Sequence, residues 1–413
     1  MGARSLRRVQ RLDVVVVGAG PAGAAAAAHL ARADCSVTLV DRATFPRDKC
    51  CGDGLTTLAL RELEVLGLEP ESVADWKTVP DAWLRSPSGR QFSIPLPREA
   101  GVYAAVAPRS QLDAALVDVA TKTGATTRLG AGFSRFDEAR PDGDAVLVLE
   151  DGTMLQARHV IAADGMWSPV RKALGLDVAG YRGEWHACRQ YVADVTGPAA
   201  ERLYVWFEPD LLPGYAWSFP LPDGRANLGF GVLRTDDRKG AAINAVWHDL
   251  VTRAHIRDAL GAGARMEDRL LAWPIPARVT GTPLSSGPVL FAGDAAASAD
   301  VLTGEGIGQA LLMGRAAAEA ITVGGSASEV AARYEREIRQ HLFADHRMSA
   351  MLGRVLAHRR GANGALALIA HSGSWGRRNF ARWMFEDEPR AIAATPRRWH
   401  RRFFDRPGAF ISG

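Results

Sequence analysis

Three glycines and one acid carry the first chemistry in this chain. Gly18, Gly20 and Gly23 stand in the spacing G-x-G-x-x-G, and Asp41 follows 23 residues after Gly18. This arrangement suits a dinucleotide. Gly18 permits a tight turn, Gly20 lets the backbone approach a pyrophosphate, and Gly23 lets helix and strand pack closely. Ala22 lies in the same turn. The helix that begins there offers unpaired N–H groups and a partial positive charge to phosphates. Asp41, with Arg42 beside it, is placed to bind ribose hydroxyls.

Strands and a helix must hold these residues. Val14–Val17 is an apolar run that delivers the turn. An alanine-rich helix follows, and a second apolar run ends in Asp41. Arg4, Arg7, Arg8 and Arg11 ahead of the first run imitate a secretory signal peptide. A signal peptide needs neither the glycine spacing nor the second strand, so a nucleotide site is the reading kept.

Two further clusters follow strands. VIAADGMWSPVR places Asp164, Gly165, Ser168 and Arg171 after one. VLFAGDAAASADVLTGEGIG places Gly293 and Asp294 after another, with Gly304, Gly306 and Ile307 leading into a helix. Arg109 opens a helix in PRSQLD. These segments resemble the fingerprints of the flavoprotein hydroxylase superfamily, which holds FAD in a glutathione-reductase-type domain. The resemblance implies that Asp294 binds the ribityl chain. It implies that the helix N-terminus at Ile307 faces the flavin pyrimidine ring and stabilises anionic reduced flavin.

FPRDKCCGDG at 45–54, with Cys51 and Gly52, narrows the family. So does PGYAWSFP at 213–220 followed by Asn227-Leu228-Gly229-Phe230-Gly231. Together they resemble the geranylgeranyl reductase family, whose members saturate isolated double bonds in prenyl chains. The resemblance runs from Asp13 to about Ile321. Two departures stand out: Val301 occupies a position where relatives usually carry proline, and Cys50 replaces a residue that is commonly apolar or proline.

The chemistry such a family performs can be stated from first principles. Saturating an unactivated alkene needs a hydride from reduced flavin, a proton for the neighbouring carbon, and an apolar tunnel that excludes water. Tyr215 and Trp217 offer flat surfaces for an isoprenoid, and Phe219, Trp206 and Phe207 would extend that wall. Cys51 is a candidate proton donor or redox sensor. Glu305 would orient the flavin or cap its helix. One dinucleotide fingerprint, not two, means that NAD(P)H would only visit. Otherwise a separate electron-donor protein reduces the flavin. Arg47 and Arg171 are candidates to meet a visiting phosphate.

Composition bounds the rest. At 413 residues the chain is long enough for two or three domains. Hydrophobic content of 47% and charged content of 23% are those of a soluble globular protein. No apolar run reaches the roughly 18–20 residues of a spanning helix. Net charge is +4, and 45 of the 50 basic residues are Arg. No nucleic-acid motif appears. Cys35, Cys50, Cys51 and Cys188 show no metal spacing, which fits a reducing cytoplasm. RRWHRRFF at 397–404 is a solvated terminal helix or a contact with the inner face of a membrane that carries a lipid substrate.

The expected architecture is α/β. A glutathione-reductase-type FAD-binding Rossmann domain is assembled from 1–79, 105–179 and 272–325. A β-rich substrate domain, 80–104 and 180–271, is inserted, and helices fill 326–413. The leading expectation for function is an FAD-dependent reductase of a hydrophobic isoprenoid or a prenylated natural product. An FAD-dependent monooxygenase or halogenase on the same fold is the alternative. Halogenases carry W-x-W-x-I-P where this chain has Tyr215 and Phe219, which counts against that branch. A non-catalytic flavin or lipid carrier is the third reading.

Overall fold

The computed structural model describes residues 11–97, 100–137, 143–234, 241–399 and 406–411. Arg4, Arg7 and Arg8 lie outside them, as do residues 400–405 of the basic aromatic tail.

Strand Arg11–Val17 is the spine of the first sheet. Val37–Asp41 and Met154–Ala162 flank it in parallel. Thr126–Leu129 and Val289–Phe291 extend the parallel order outward. Val14, Val15 and Val16 are fully buried, as expected for a parallel strand covered on both faces. The helix Pro21–Arg32 packs against the helix Ile307–Thr322. Small residues make that approach close: a methyl on Gly314 would sit 2.2 Å from the Ala22 carbonyl oxygen.

A second sheet lies beside the first. Its core is Trp185–Ala193, Arg225–Leu233, Tyr215–Leu221 and Leu203–Trp206, in that antiparallel order. The hairpin Asp81–Arg85 and Gln91–Pro95 joins its edge through Leu203–Trp206. Segments far apart in the chain therefore share one sheet. Helices Ala241–Leu250 and Ala254–Leu260 cover one face, where Ile243, Trp247 and Leu260 pack on Tyr204 and Trp206.

Four α-helices complete the chain: Ala327–Ile338, Ala344–Leu356, Arg359–His371 and Gly373–Met384. Ser326 and Glu329 form a capping box at the first. The described part of the basic tail is not an α-helix. Pro396–Arg398 is a single 3-10 turn, and Arg398 is tied to Asp345 at 2.7 Å. Among the described residues no helix is long and apolar enough to cross a membrane.

Candidate active site

The parallel strands end at one cavity. Gly18, Asp41, Asp164 and Gly293 follow or close four of them, and all four line a space of about 840 Å³ between the two sheets. This is the carboxyl edge at which open α/β sheets bind ligands. The volume lies in the upper range of small-molecule sites.

The glycine turn has the form its spacing requires. Gly18 has φ +100, and a methyl there would lie 2.3 Å from the Ala163 carbonyl oxygen. A methyl on Gly23 would lie 1.7 Å from the Gly18 oxygen. Gly23 thus packs helix on turn and does not face the cavity, whereas Gly20 and Ala22 do. Gly20 is the N-cap and supplies no side-chain cap, so the first-turn N–H groups stay free for a ligand. Asp41 is fixed at its strand end by Ala19 N–H at 2.7 Å and Ala43 N–H at 2.8 Å. Arg42 lies next to it on the wall.

Three charged anchors stand around the cavity. Asp113 is fully buried and accepts from Arg109 through both oxygens, at 2.8 and 2.7 Å, while Arg47 approaches at 3.0 Å. Lys49 donates to Asp294 at 3.0 Å. Asp164 accepts from Val170 N–H at 3.0 Å. Its other oxygen is buried without a hydrogen bond. Burial outweighs that bond and raises its carboxyl to about 6. Gly165, at φ +82, has open space where a side chain would be.

The second sheet supplies the opposite wall, and its register explains the sequence spacing. Tyr215, Trp217 and Phe219 alternate onto the cavity face. Across the antiparallel pair, Tyr215 stands opposite Gly231, Trp217 opposite Gly229 and Phe219 opposite Asn227. A methyl on Gly229 would come within 2.3 Å of the Trp217 ring. The glycine makes room for the indole. Asn227 then locks it, accepting from Trp217 Nε1 at 3.1 Å and donating to the Cys51 carbonyl and to Asp53, each at 2.8 Å. Gly52 and Gly54 lie under Phe219 at 3.3 and 3.0 Å from a built methyl.

Trp206 is a correction. It is fully buried on the far face of the sheet, stacked on Tyr204 at 5.3 Å. One residue of parity separates it from the cavity side. Phe207 reaches the wall only by packing on Tyr215 at 6.0 Å. Arg171 is also spent elsewhere, donating to the Pro283 and Ala295 carbonyls at 3.1 Å each.

Cys51 lines the cavity but is no thiolate. Burial pushes its thiol to about 11, against the pull of Arg109, and Cys50 rises to about 12 for the same reason. Tyr215 donates its hydroxyl to the Thr303 carbonyl, which pins the glycine-rich turn to the aromatic wall.

Sequence reasoning missed the acid cluster behind that turn. Asp300 accepts from Leu302 and Thr303 N–H and from the Ser349 hydroxyl at 2.6 Å, and Arg390 lies 3.3 Å away. These partners hold Asp300 ionised despite its burial. Glu386, in the turn after helix Gly373–Met384, accepts from Thr56 at 3.0 Å and Gln309 at 2.9 Å. Glu305 accepts from Ile307 N–H at 2.9 Å and faces the cavity. Asp300 and Glu386 share the Arg390 guanidinium, at 3.3 and 3.4 Å, and Glu305 has no share in it among the described contacts. Burial, then the nearby Glu386, raises Glu305 to about 8. Nothing in the spacing of Glu386 and Arg390 announced this, because they lie over 80 residues from Glu305 or the turn they touch only through the fold. Asp53 was also unassigned. It is fully buried at φ +64, receives Tyr191 at 2.7 Å and Asn227 at 2.8 Å, and burial still lifts it to about 6.

A family model for an FAD binding domain matches residues 11–341. The chain belongs to that family. It is 36% identical to the menaquinone reductase of Mycolicibacterium smegmatis over 335 residues, 76% of this chain and 77% of the relative. It is 34% identical to digeranylgeranylglycerophospholipid reductase 1 of Methanopyrus kandleri, over 74% of this chain and 79% of the relative. A geranylgeranyl bacteriochlorophyll reductase-like structure from Thermoplasma acidophilum shares the fold, with TM-score 0.78 and 19% identity, covering 94% of this chain and 99% of that one. The chain is thus an FAD-dependent oxidoreductase of the geranylgeranyl reductase group. The cavity suits FAD on its own terms. It joins an uncapped helix N-terminus, a strand-end carboxylate, an orphaned Asp164 oxygen and a second helix N-terminus at Ile307.

Proposed function

We propose that this FAD-dependent oxidoreductase saturates isolated C=C bonds in a polyprenyl chain carried by a quinone or a lipid. The observation that carries the reading is the aromatic wall. Tyr215, Trp217 and Phe219 face the cavity, and Gly231, which also lines it opposite Tyr215, leaves that end of the wall without a facing side chain. Such a wall suits an apolar chain rather than a compact polar ring. The two relatives are named for menaquinone and for digeranylgeranylglycerophospholipid, molecules that have a polyprenyl chain in common.

In this reading Gly18, Gly20, Ala22 and the helix they open hold the FAD pyrophosphate, and Asp41 with Arg42 holds the adenosine ribose. Asp164 and Gly165, Gly293 and Asp294, and Cys51 with Gly52 border the ribityl chain and ring. Arg109 is locked by Asp113 and orients the Cys51 loop. Gly304, Gly306 and Ile307 present the helix N-terminus to the pyrimidine edge. Bound, reduced FAD supplies the hydride. The chain supplies the proton: Glu305 is the acid, since Cys51 and Tyr215 hold theirs more tightly. Tyr215, Trp217 and Phe219 press the alkene into place and exclude water. The reductant of the flavin is a visiting NAD(P)H or a donor protein. Arg47 and Arg171 are already engaged, which favours a donor that needs no dedicated phosphate clamp.

The test is anaerobic. Dithionite-reduced holoenzyme is mixed with menaquinone, digeranylgeranylglycerophospholipid or geranylgeranyl diphosphate, and products are read by mass spectrometry. Addition of hydrogen pairs to one of these, with flavin reoxidation, is expected. Unchanged substrates under all three conditions would sink the proposal, and oxygen uptake that depends on a small aromatic in a separate aerobic assay would restore the monooxygenase alternative.

A further inference from the structure

The C-terminal helices carry an unusual charge pattern. From His346 to Phe385, forty residues, there are seven arginines and no Asp or Glu. The whole chain, by contrast, is only +4. One of the seven, Arg382, is buried and paired with Asp387. Arg347, Arg354, Arg359, Arg360 and Arg378 are exposed.

Large apolar side chains are exposed on the same helices. Met351 is 51% exposed, Val355 48%, Leu368 75% and Trp375 65%. The spacing puts them in stripes with the arginines. Arg347, Met351, Arg354 and Val355 follow i, i+4, i+7, i+8 on Ala344–Leu356. Arg360, Leu368 and His371 follow i, i+8, i+11 on Arg359–His371. Trp375 and Arg378 are three apart on Gly373–Met384. Successive helices pack on one another, so the stripes belong to one layer.

The inner side of that layer is different. Leu366, Ala381 and Phe385 are buried in an apolar cluster, and Tyr215 and Phe219 of the cavity wall pack against that same cluster, as do Ile369, Phe380 and Met384. The helices that show arginine and tryptophan outward therefore share, inward, an apolar cluster with side chains that line the site.

We propose that helices 344–384 are the docking face for an anionic lipid bilayer. Guanidiniums and exposed apolar side chains on amphipathic helices are what lies in a headgroup–acyl boundary, and a basic surface whose one acid, Asp345, is paired with Arg398 is complementary to anionic headgroups. On the function proposed above, a polyprenyl chain would pass from the bilayer toward the aromatic wall on the side of this apolar cluster. The route depends on the function proposed above; the docking face does not. The tail at 397–404 is secondary, since Arg398 is committed to Asp345.

The experiment is vesicle co-sedimentation of the FAD-loaded full chain. Vesicles are phosphatidylcholine alone or phosphatidylcholine with phosphatidylglycerol. Wild type is compared with Arg359→Glu/Arg360→Glu and with Leu368→Ser/Trp375→Ser, all at exposed positions. Binding that requires phosphatidylglycerol and weakens with salt is expected. The charge-reversed pair should bind about 25-fold more weakly or worse, from about fivefold for each of the two basic residues lost. The apolar pair should also lose binding. The flavin spectrum and reduction of a detergent-dispersed prenyl substrate should stay unchanged in both. Equal sedimentation with and without anionic lipid, or full binding by both variants, would overturn the proposal. So would a dimer in analytical ultracentrifugation that these substitutions break while vesicles go unbound, since the face would then belong to a second copy. If wild type docks but reduces no prenyl substrate, the functional reading fails and the docking face stands.

Discussion

Replacing Glu305 by Gln removes a titration that the fold opposes. Gln keeps the shape and an oxygen to accept from Ile307 N–H. The Glu305 carboxyl sits at about 8, against 4.5 when free, through burial and then Glu386. Between those values the folded chain holds a proton that the unfolded chain has released. Wild-type stability therefore falls as pH rises from about 4.5 to about 8, and the whole penalty is present above that. At ~1.4 kcal/mol per pH unit the ceiling is roughly 5 kcal/mol. Water entering the cavity solvates the carboxylate, so ~2 kcal/mol is the working expectation. Urea unfolding of wild type and Glu305→Gln at about pH 5, 7 and 9 measures it. The difference between them should begin small and grow in favour of the variant until it levels off. Asp53 and Asp164 titrate in both proteins and drop out of that difference. Parallel pH profiles, or a variant less stable than wild type at about pH 9, would refute the assignment of a buried neutral acid.

Gly23→Ala drives a methyl into the Gly18 oxygen. It should cost about 3 kcal/mol and strip FAD during purification, as read by the flavin-to-protein absorbance ratio. Asp113→Asn leaves Arg109 and Arg47 facing a neutral amide; a loss of about 3–5 kcal/mol in chemical denaturation is expected. Trp206→Phe should lower stability by about 1–2 kcal/mol and leave the KM for prenyl substrate unchanged, whereas Trp217→Phe should raise that KM several-fold with the fold intact.

What the sequence disclosed follows from how local each signal is. The turn at Gly18–Gly23, the acid Asp41 and the strand ends at Asp164 and Gly293 are encoded within a few residues each. They were legible because a phosphate cradle is a local backbone shape. The aromatic wall was legible as spacing, although its cause was not. Trp217 needs Gly229 because the register sets them face to face, and one sequence gives no register directly. Trp206 shows the limit: an aromatic among aromatics reads the same from either face, and only strand parity separates core from cavity. Asp300, Glu305, Glu386 and Arg390 were illegible as a group. Each is an ordinary charged residue until the turn after helix Gly373–Met384 folds back onto Thr56 and Gln309.

The facing strands also set the calibre of the site unequally along its length. At Gly229 the indole leaves no space for even one carbon. At Gly231 a methyl would meet nothing nearer than the Trp217 ring at 4.0 Å. One end of the wall is a fixed gauge and the other is adjustable. Chains of different thickness can thus be admitted or refused by substitution at Gly231 alone, with the flavin side of the wall held constant.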